Sequence, residues 1–327
     1  MPIMNRVIYS HKRVGYNFLI FLLSFLYSFS LTYLIPIDAV LDRVNYLTYA
    51  ADSEIIVARY LLSGSGSLIF NEPIWLALNV LLSFLFSPEN TVRVIIFISS
   101  FLSSYFVMRV SPKNFFFLLF ILFIPQVIGK YIVHLRQGLA ISVFLVGWYI
   151  TNIKLRYLFF FITPFIHSSF FFILLLLFFT EASLKMKLAR DVRSILVVCV
   201  GLALGVGLSY IASFFGARQA TEYQFTSDSV SGIGFLFWLG ILSLYWFQGR
   251  VFFRKHAFSI SAITFYLSTY FFLEVSGRIF ESMMIIVLLA SIDLRAWRKS
   301  VFLIALSCFV LLSWLLRANQ PMFGWGG

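Results

Sequence analysis

Apolar runs recur along the chain at about 17–35, 73–87, 92–109, 114–129, 137–151, 157–179, 194–215, 233–247, 258–273, 279–293 and 300–316, with short polar segments between them. Helices are the expected form, because backbone in a bilayer must satisfy its own hydrogen bonds and the period-2 alternation of barrel strands is missing. Several runs hold only about 15 residues, short of the roughly 20 needed for a perpendicular crossing. The pattern therefore predicts an all-α polytopic membrane protein with about 9–11 transmembrane or re-entrant helices. Residues 1–17 carry Arg6, Lys12 and Arg13 ahead of the first run, which lacks an Ala-x-Ala-like exit and reads as an uncleaved anchor with its N-terminus inside. No repeat of 20–50 residues interrupts the pattern, so 1–327 is expected to be a single integral membrane domain.

Composition sharpens this. Of 327 residues, 61% are hydrophobic and 12% charged, and 41 Phe lift the aromatic share to 20%. A soluble fold of this length has no means of hiding so much apolar surface, which excludes a soluble enzyme, a secreted disulfide scaffold and a disordered chain. Cys199 and Cys308 both fall inside apolar runs and supply neither a disulfide framework nor a metal cage. The net charge of +12 would suggest nucleic acid in a soluble protein. Here the basic residues sit between apolar runs, where they orient the chain, and no nucleic-acid partner is expected. The compact basic stretches at 185–193, 250–255 and 295–299 read as cytoplasmic loops.

Two polar loops are assigned to the outer face. The first, about 36–72, holds Asp38, Asp42, Arg43, Asp52, Glu54 and Arg59 and a Ser-Gly run at 63–67; the second, 216–232, holds Arg218, Glu222 and Asp228. Two topologies fit the first half: eleven crossings, or a re-entrant or surface-lying 73–87 with 157–179 folded as a hairpin dipping from the cytoplasmic face. Counting Lys and Arg on either side separates them by one residue, and they differ on whether Arg136 lies at the inner or the outer end of its helix.

Ionisable groups at membrane depth cost on the order of 2.5–3.5 kcal/mol each and mark functional candidates. Three positions qualify: Lys130, His134, Arg136 and Gln137 at the start of a helix; His167 within an aromatic run; and Glu274, Arg278 and Glu281 on one helix face. Each has a plain structural reading as well, a hydrogen-bonded core imidazole for His167, a snorkelling Arg136, and an ion pair for Arg278 with Glu274 or Glu281. Pro164 opens the helix ladder just ahead of His167, which favours a polar cavity there. Guanidinium forks match phosphate oxygens, and an imidazole can take a proton from a hydroxyl near neutral pH. This kit suits group transfer from a lipid-linked diphosphate.

These residues resemble the EpsG-like branch of the Wzy-type polysaccharide (O-antigen) polymerases. The matching pieces run in order: Asp42-x-x-Asn45-Tyr46 in the first loop, Glu72-Pro73 opening an apolar run, Arg136-Gln137-Gly138-Leu139-Ala140 at a helix start, His167-Ser168-Ser169, and Arg278 heading a late helix. The chain departs from the pattern in its shortness and in lacking a large outer loop in its second half. The resemblance implies a GT-C-like bundle in the bacterial inner membrane with its active site toward the periplasm. It implies a glycosyltransferase that moves a glycan from undecaprenyl diphosphate onto a lipid-linked repeat unit for O-antigen, capsule or exopolysaccharide, with no cofactor. On that mapping Arg136 and Arg278 grip the donor diphosphate, His167 activates the acceptor hydroxyl, and Asp42, Asn45, Tyr46, Glu72, Gln137 and Glu281 bind substrate. Its partners would be undecaprenyl-diphosphate-linked glycans, the bilayer and a chain-length regulator. This needs Arg136 near the outer face and so favours the re-entrant and hairpin topology.

Two other readings stand beside it. A metal-dependent lipid-linked glycosyltransferase would use the carboxylates of Asp52 and Glu54. A flippase or transporter usually carries paired halves with matching broken helices, and no such symmetry is visible. Gly201, Gly205 and Gly207 read as helix-packing positions.

Overall fold

The computed structural model describes residues 14–62, 68–69, 71–214, 232–273 and 275–326. Among them are fifteen α-helices and no strand beyond one isolated bridge between Val40 and Gly326, so the protein is an all-α polytopic membrane protein. Most of the outer loop expected at 216–232, and Glu274, lie outside the described residues. The described residues divide into two compact units, one within Ile8–Phe170 with the segment from Ser313 onward, the other within Phe171–Leu312.

The first unit contains α1 (Val14–Tyr33), α2 (Arg43–Leu62), α3 (Pro73–Ser83), α4 (Pro88–Met108), α5 (Phe115–Leu122), α6 (Pro125–Ile132), α7 (Leu135–Tyr149) and α8 (Ile153–Ile166). Helix α4 is its centre. Phe97 and Phe101 meet Phe25 and Phe21 of α1 edge to face, while Ser99, Ser100, Ser103 and Ser104 are fully buried. Small side chains let α7 approach closely, and the Ser142 hydroxyl of α7 donates to the Ser99 carbonyl at 2.9 Å. A Cβ at Gly147 would meet Phe159 Cβ at 2.9 Å, so the α7–α8 hairpin closes on a glycine.

Proline sets the breaks. The 114–129 run becomes α5 and α6, bent by 66° ahead of Pro125. The 157–179 run splits at His167, which is extended (φ −150°, ψ 122°). Pro164 has no N–H for the Phe160 carbonyl, and the Thr163 hydroxyl takes that carbonyl at 2.7 Å instead. Such breaks leave three helices among the described residues long and apolar enough to cross a bilayer unaided, Gly15–Tyr33, Pro88–Met108 and Trp297–Arg317; the bent pair makes a fourth if it counts as one span.

One expectation is corrected. Much of the polar segment 36–72 is not loop: a 3-10 turn at Ile37–Ala39 leads into the twenty-residue α2, kinked at Asp52. Its buried face is Tyr46, Ala50 and Ser53, spaced i, i+4, i+7, and Asp52 and Glu54 point away from it. The start of α2 is held from the far end of the chain, because the Leu41 N–H donates to the Trp325 carbonyl at 2.8 Å and Trp325 packs against Trp314.

The second unit contains most of α9 (Phe170–Lys185) and α15 (Trp297–Arg317), with α10 (Arg190–Phe214), α11 (Ile233–Trp246), α12 (Arg250–Lys255), α13 (Ala257–Thr269) and α14 (Ser276–Ala290). Here α13 is central. Gly201 of α10 sits against Ser268 and Thr269, and Gly205 against Phe272, so these glycines do pack helices. The Tyr245 and Ser259 hydroxyls donate to the Val287 and Ile286 carbonyls of α14.

Candidate active site

Glu72 is the hinge of the site. It precedes Pro73, a position where the right-handed helical region is disfavoured, and takes the left-handed conformation (φ 61°, ψ 55°) that costs a non-glycine residue about 1–2 kcal/mol. Its side chain is 3% exposed, yet every oxygen is used. Oε2 accepts from Arg136 Nη1 at 2.5 Å, while Oε1 accepts from His167 Nδ1 at 2.8 Å and from the Ser168 N–H at 3.1 Å. Three segments distant in sequence thus close on one carboxylate: the α3 N-terminus, the first turn of α7, and the break after α8. Burial alone would raise this carboxyl. The Arg136 charge, the His167 hydrogen bond and the Ser168 N–H outweigh it and hold the group below the usual carboxylate range, as an ionised acceptor.

An ionised carboxylate can only accept, so Nδ1 of His167 carries the proton in the neutral ring. Nε2 is then left with its lone pair, in the arrangement by which a buried carboxylate orients a general base. The imidazole is about one-fifth open, as is Arg136. The Arg136 guanidinium lies 5.5 Å from the centre of the Tyr49 ring, with Tyr46 within electrostatic reach. Both tyrosines meet Trp75 edge to face, forming one aromatic wall.

The other predicted residues fall as follows. Gln137 is buried and accepts from Lys130 Nζ at 3.0 Å, an internal pairing at the α6–α7 turn. Asp42 and Asn45 are exposed at the start of α2, with Asp42 3.7 Å from His134. Tyr46 is buried at the wall. Arg278, exposed, and the half-buried Glu281 lie on α14 in the second unit. Among the described residues no group of three His, Cys, Asp or Glu is placed to hold a metal ion. Sequence reasoning missed Tyr49 and Trp75. Tyr49 follows Tyr46 at i+3, a helical spacing obscured by the acidic residues around it.

Fold and site together define a polytopic helical membrane protein built around a buried Glu–Arg–His network. The sequence profile of the EpsG family matches residues 58–324, and the chain belongs to that family. The match includes Glu72, Arg136, His167 and Arg278, while Asp42, Asn45 and Tyr46 precede it. No curated protein and no solved structure matches the chain.

Proposed function

We propose that the protein is a polysaccharide polymerase of the bacterial inner membrane that transfers a glycan from undecaprenyl diphosphate to a lipid-linked repeat unit at the outer face. The observation that carries this reading is the Glu72 carboxylate bridging Arg136 and His167. In the transfer, the acceptor sugar hydroxyl gives its proton to His167 Nε2 as its oxygen bonds to the anomeric carbon of the donor. The bond from that carbon to the diphosphate breaks, and the diphosphate leaves with the electron pair. Glu72 stabilises the imidazolium that forms. Arg136 bonds to Glu72 through Nη1, with Tyr46 as a further hydrogen-bond partner, and its positive charge would stabilise the departing diphosphate. The acceptor sugar would run along the Tyr46–Tyr49 side, past the exposed Asp42 and Asn45. A chain-length regulator is the proposed protein partner.

The test is polymerisation by purified protein in liposomes supplied with undecaprenyl-diphosphate-linked repeat units, resolved on a gel. The wild type should build a ladder. His167→Asn, which keeps a polar group but no base, should stop at single units. A full ladder from His167→Asn would refute the assignment, and a wild type that only moves lipid-linked units across the bilayer would make the protein a flippase.

A further inference from the structure

A second cluster of charge, in the other compact unit, plays no part in this reaction. Three connections converge there: 185–193 between α9 and α10, 247–256 through α12, and 291–299 between α14 and α15. Contacts tie them together. Arg190 lies over the Trp246 ring at 4.9 Å and Arg193 over the Phe253 ring at 5.0 Å. The Arg295 N–H donates to Gln248 Oε1 at 3.4 Å, and Asp293 joins Lys255 and His256. The three connections carry ten Lys and Arg against only Asp191 and Asp293, a net +8 of the chain's +12. Both acids are already engaged, Asp191 by Arg190 and Asp293 by Lys255 and His256.

Orientation needs basic residues near the membrane but does not need one buried. Arg193 is 3% exposed, and among the described residues no carboxylate pairs with it; its guanidinium meets only the Phe253 ring. A buried charge without a counter-charge is costly. Both arginines stand in the first turn of α10, where the helix dipole already favours an anion over a cation. The same connections also carry exposed apolar side chains: Phe247, Val251, Met186 and Trp297 are all more than half exposed. Free phosphate has no use for such side chains. A phospholipid, with acyl chains beneath an anionic headgroup, satisfies both sets.

We propose that Arg190 and Arg193, stacked on Trp246 and Phe253, form a headgroup site for an anionic phospholipid, on the face that the positive-inside rule assigns to the cytoplasm. The lipid phosphate supplies the counter-charge that Arg193 lacks, and the exposed aromatic and aliphatic side chains lie along its glycerol and upper acyl region.

The full-length protein, purified in neutral detergent, is titrated with phosphatidylglycerol, with phosphatidylcholine and with inorganic phosphate, reading bound lipid by native mass spectrometry and stability by thermal unfolding. Phosphatidylglycerol should bind in preference to phosphatidylcholine and raise the melting temperature. Arg190→Gln should weaken phosphatidylglycerol binding about five-fold, and Arg193→Lys, which keeps charge but loses the planar stack, should weaken it by a similar factor. Arg59→Gln, on α2, should leave it unchanged. Should Arg193→Lys fold poorly, Arg190→Gln alone decides. Equal binding of the two lipids, unaltered binding by Arg190→Gln, or equal protection by inorganic phosphate alone would each overturn the lipid site.

Discussion

His167 and Glu72, 95 positions apart, meet through Nδ1 and Oε1 at 2.8 Å, and this contact decides which face of the imidazole is left for chemistry. The carboxylate also holds Arg136, so the orientation of the His167 ring, the proposed base, and the placement of the nearest cation depend on one side chain in a strained backbone conformation. Strain of this kind persists where surrounding structure over-determines it, and it clusters at functional sites.

Glu72→Gln tests that coupling. The amide keeps size but loses the charge opposite Arg136, and it no longer enforces the Nδ1–H tautomer. Polymerisation should fall at least about 100-fold, within the range that positioned proton transfer contributes. Thermal stability should fall as well, by less than the about 3–5 kcal/mol of a fully buried broken pair, because Arg136 is 22% exposed. A variant with normal ladder length would assign Glu72 to folding alone.

Arg136→Lys preserves charge and tests the fork. An ammonium can still pair with Glu72, but it cannot serve Glu72 and a diphosphate from one plane. The predicted loss is about 10²–10³ in turnover with protein levels in the membrane near normal. Chain-length distributions on a gel, alongside immunoblots of membrane fractions, separate the two effects.

Much of the site is legible in the sequence, for local reasons. Pro164 announces the break that puts His167 outside a helix, and Arg136-Gln137-Gly138 stands out as a polar start to an apolar helix. The α2 helix is hidden because Asp52 and Glu54 give its exposed face the look of a loop, although Tyr46, Ala50 and Ser53 keep the helical period. The union of Glu72 with His167 and Arg136 is long-range, spanning 95 and 64 positions, and local pattern carries no trace of it. Gln137 reads as a pocket group, but its buried partner is Lys130. Likewise, the bend before Pro125 turns one predicted apolar run into two short helices.

Asp293 offers a pH-dependent prediction. Hydrogen bonds from His256 and then Lys255, working against partial burial, hold its carboxyl at about 2, below its ordinary 3.8. A depressed carboxylate contributes stability above the unfolded value, and that contribution is lost as pH falls through the folded one. Asp293→Asn should therefore lower the melting temperature at pH 5 by about 1–4 °C, modest because the side chain is over a third exposed. The gap between wild type and variant should close between about pH 4 and 2, measured in detergent by intrinsic fluorescence. A gap that persists unchanged at pH 2 would count against the ion pair.

Gly138 explains why the motif after Arg136 carries a glycine. A Cβ there would run into the Lys130 carbonyl and stand 3.1 Å from the Tyr131 ring. That carbonyl is backbone, at the C-terminal end of α6, so it cannot swing aside as a flexible side chain would. Glycine thus lets the first turn of α7 settle against α6, which fixes the base of the Arg136 side chain and the Lys130–Gln137 pair together. Gly138→Ala should cost about 1–3 kcal/mol by overpacking, despite the better helix propensity of alanine. It should also lower polymerisation without removing any charged group. Gly240→Ala, where a Cβ meets nothing within 4 Å, is the matched control and should be neutral or slightly stabilising. If thermal unfolding finds the two variants alike, the α6–α7 contact is not what demands glycine at 138.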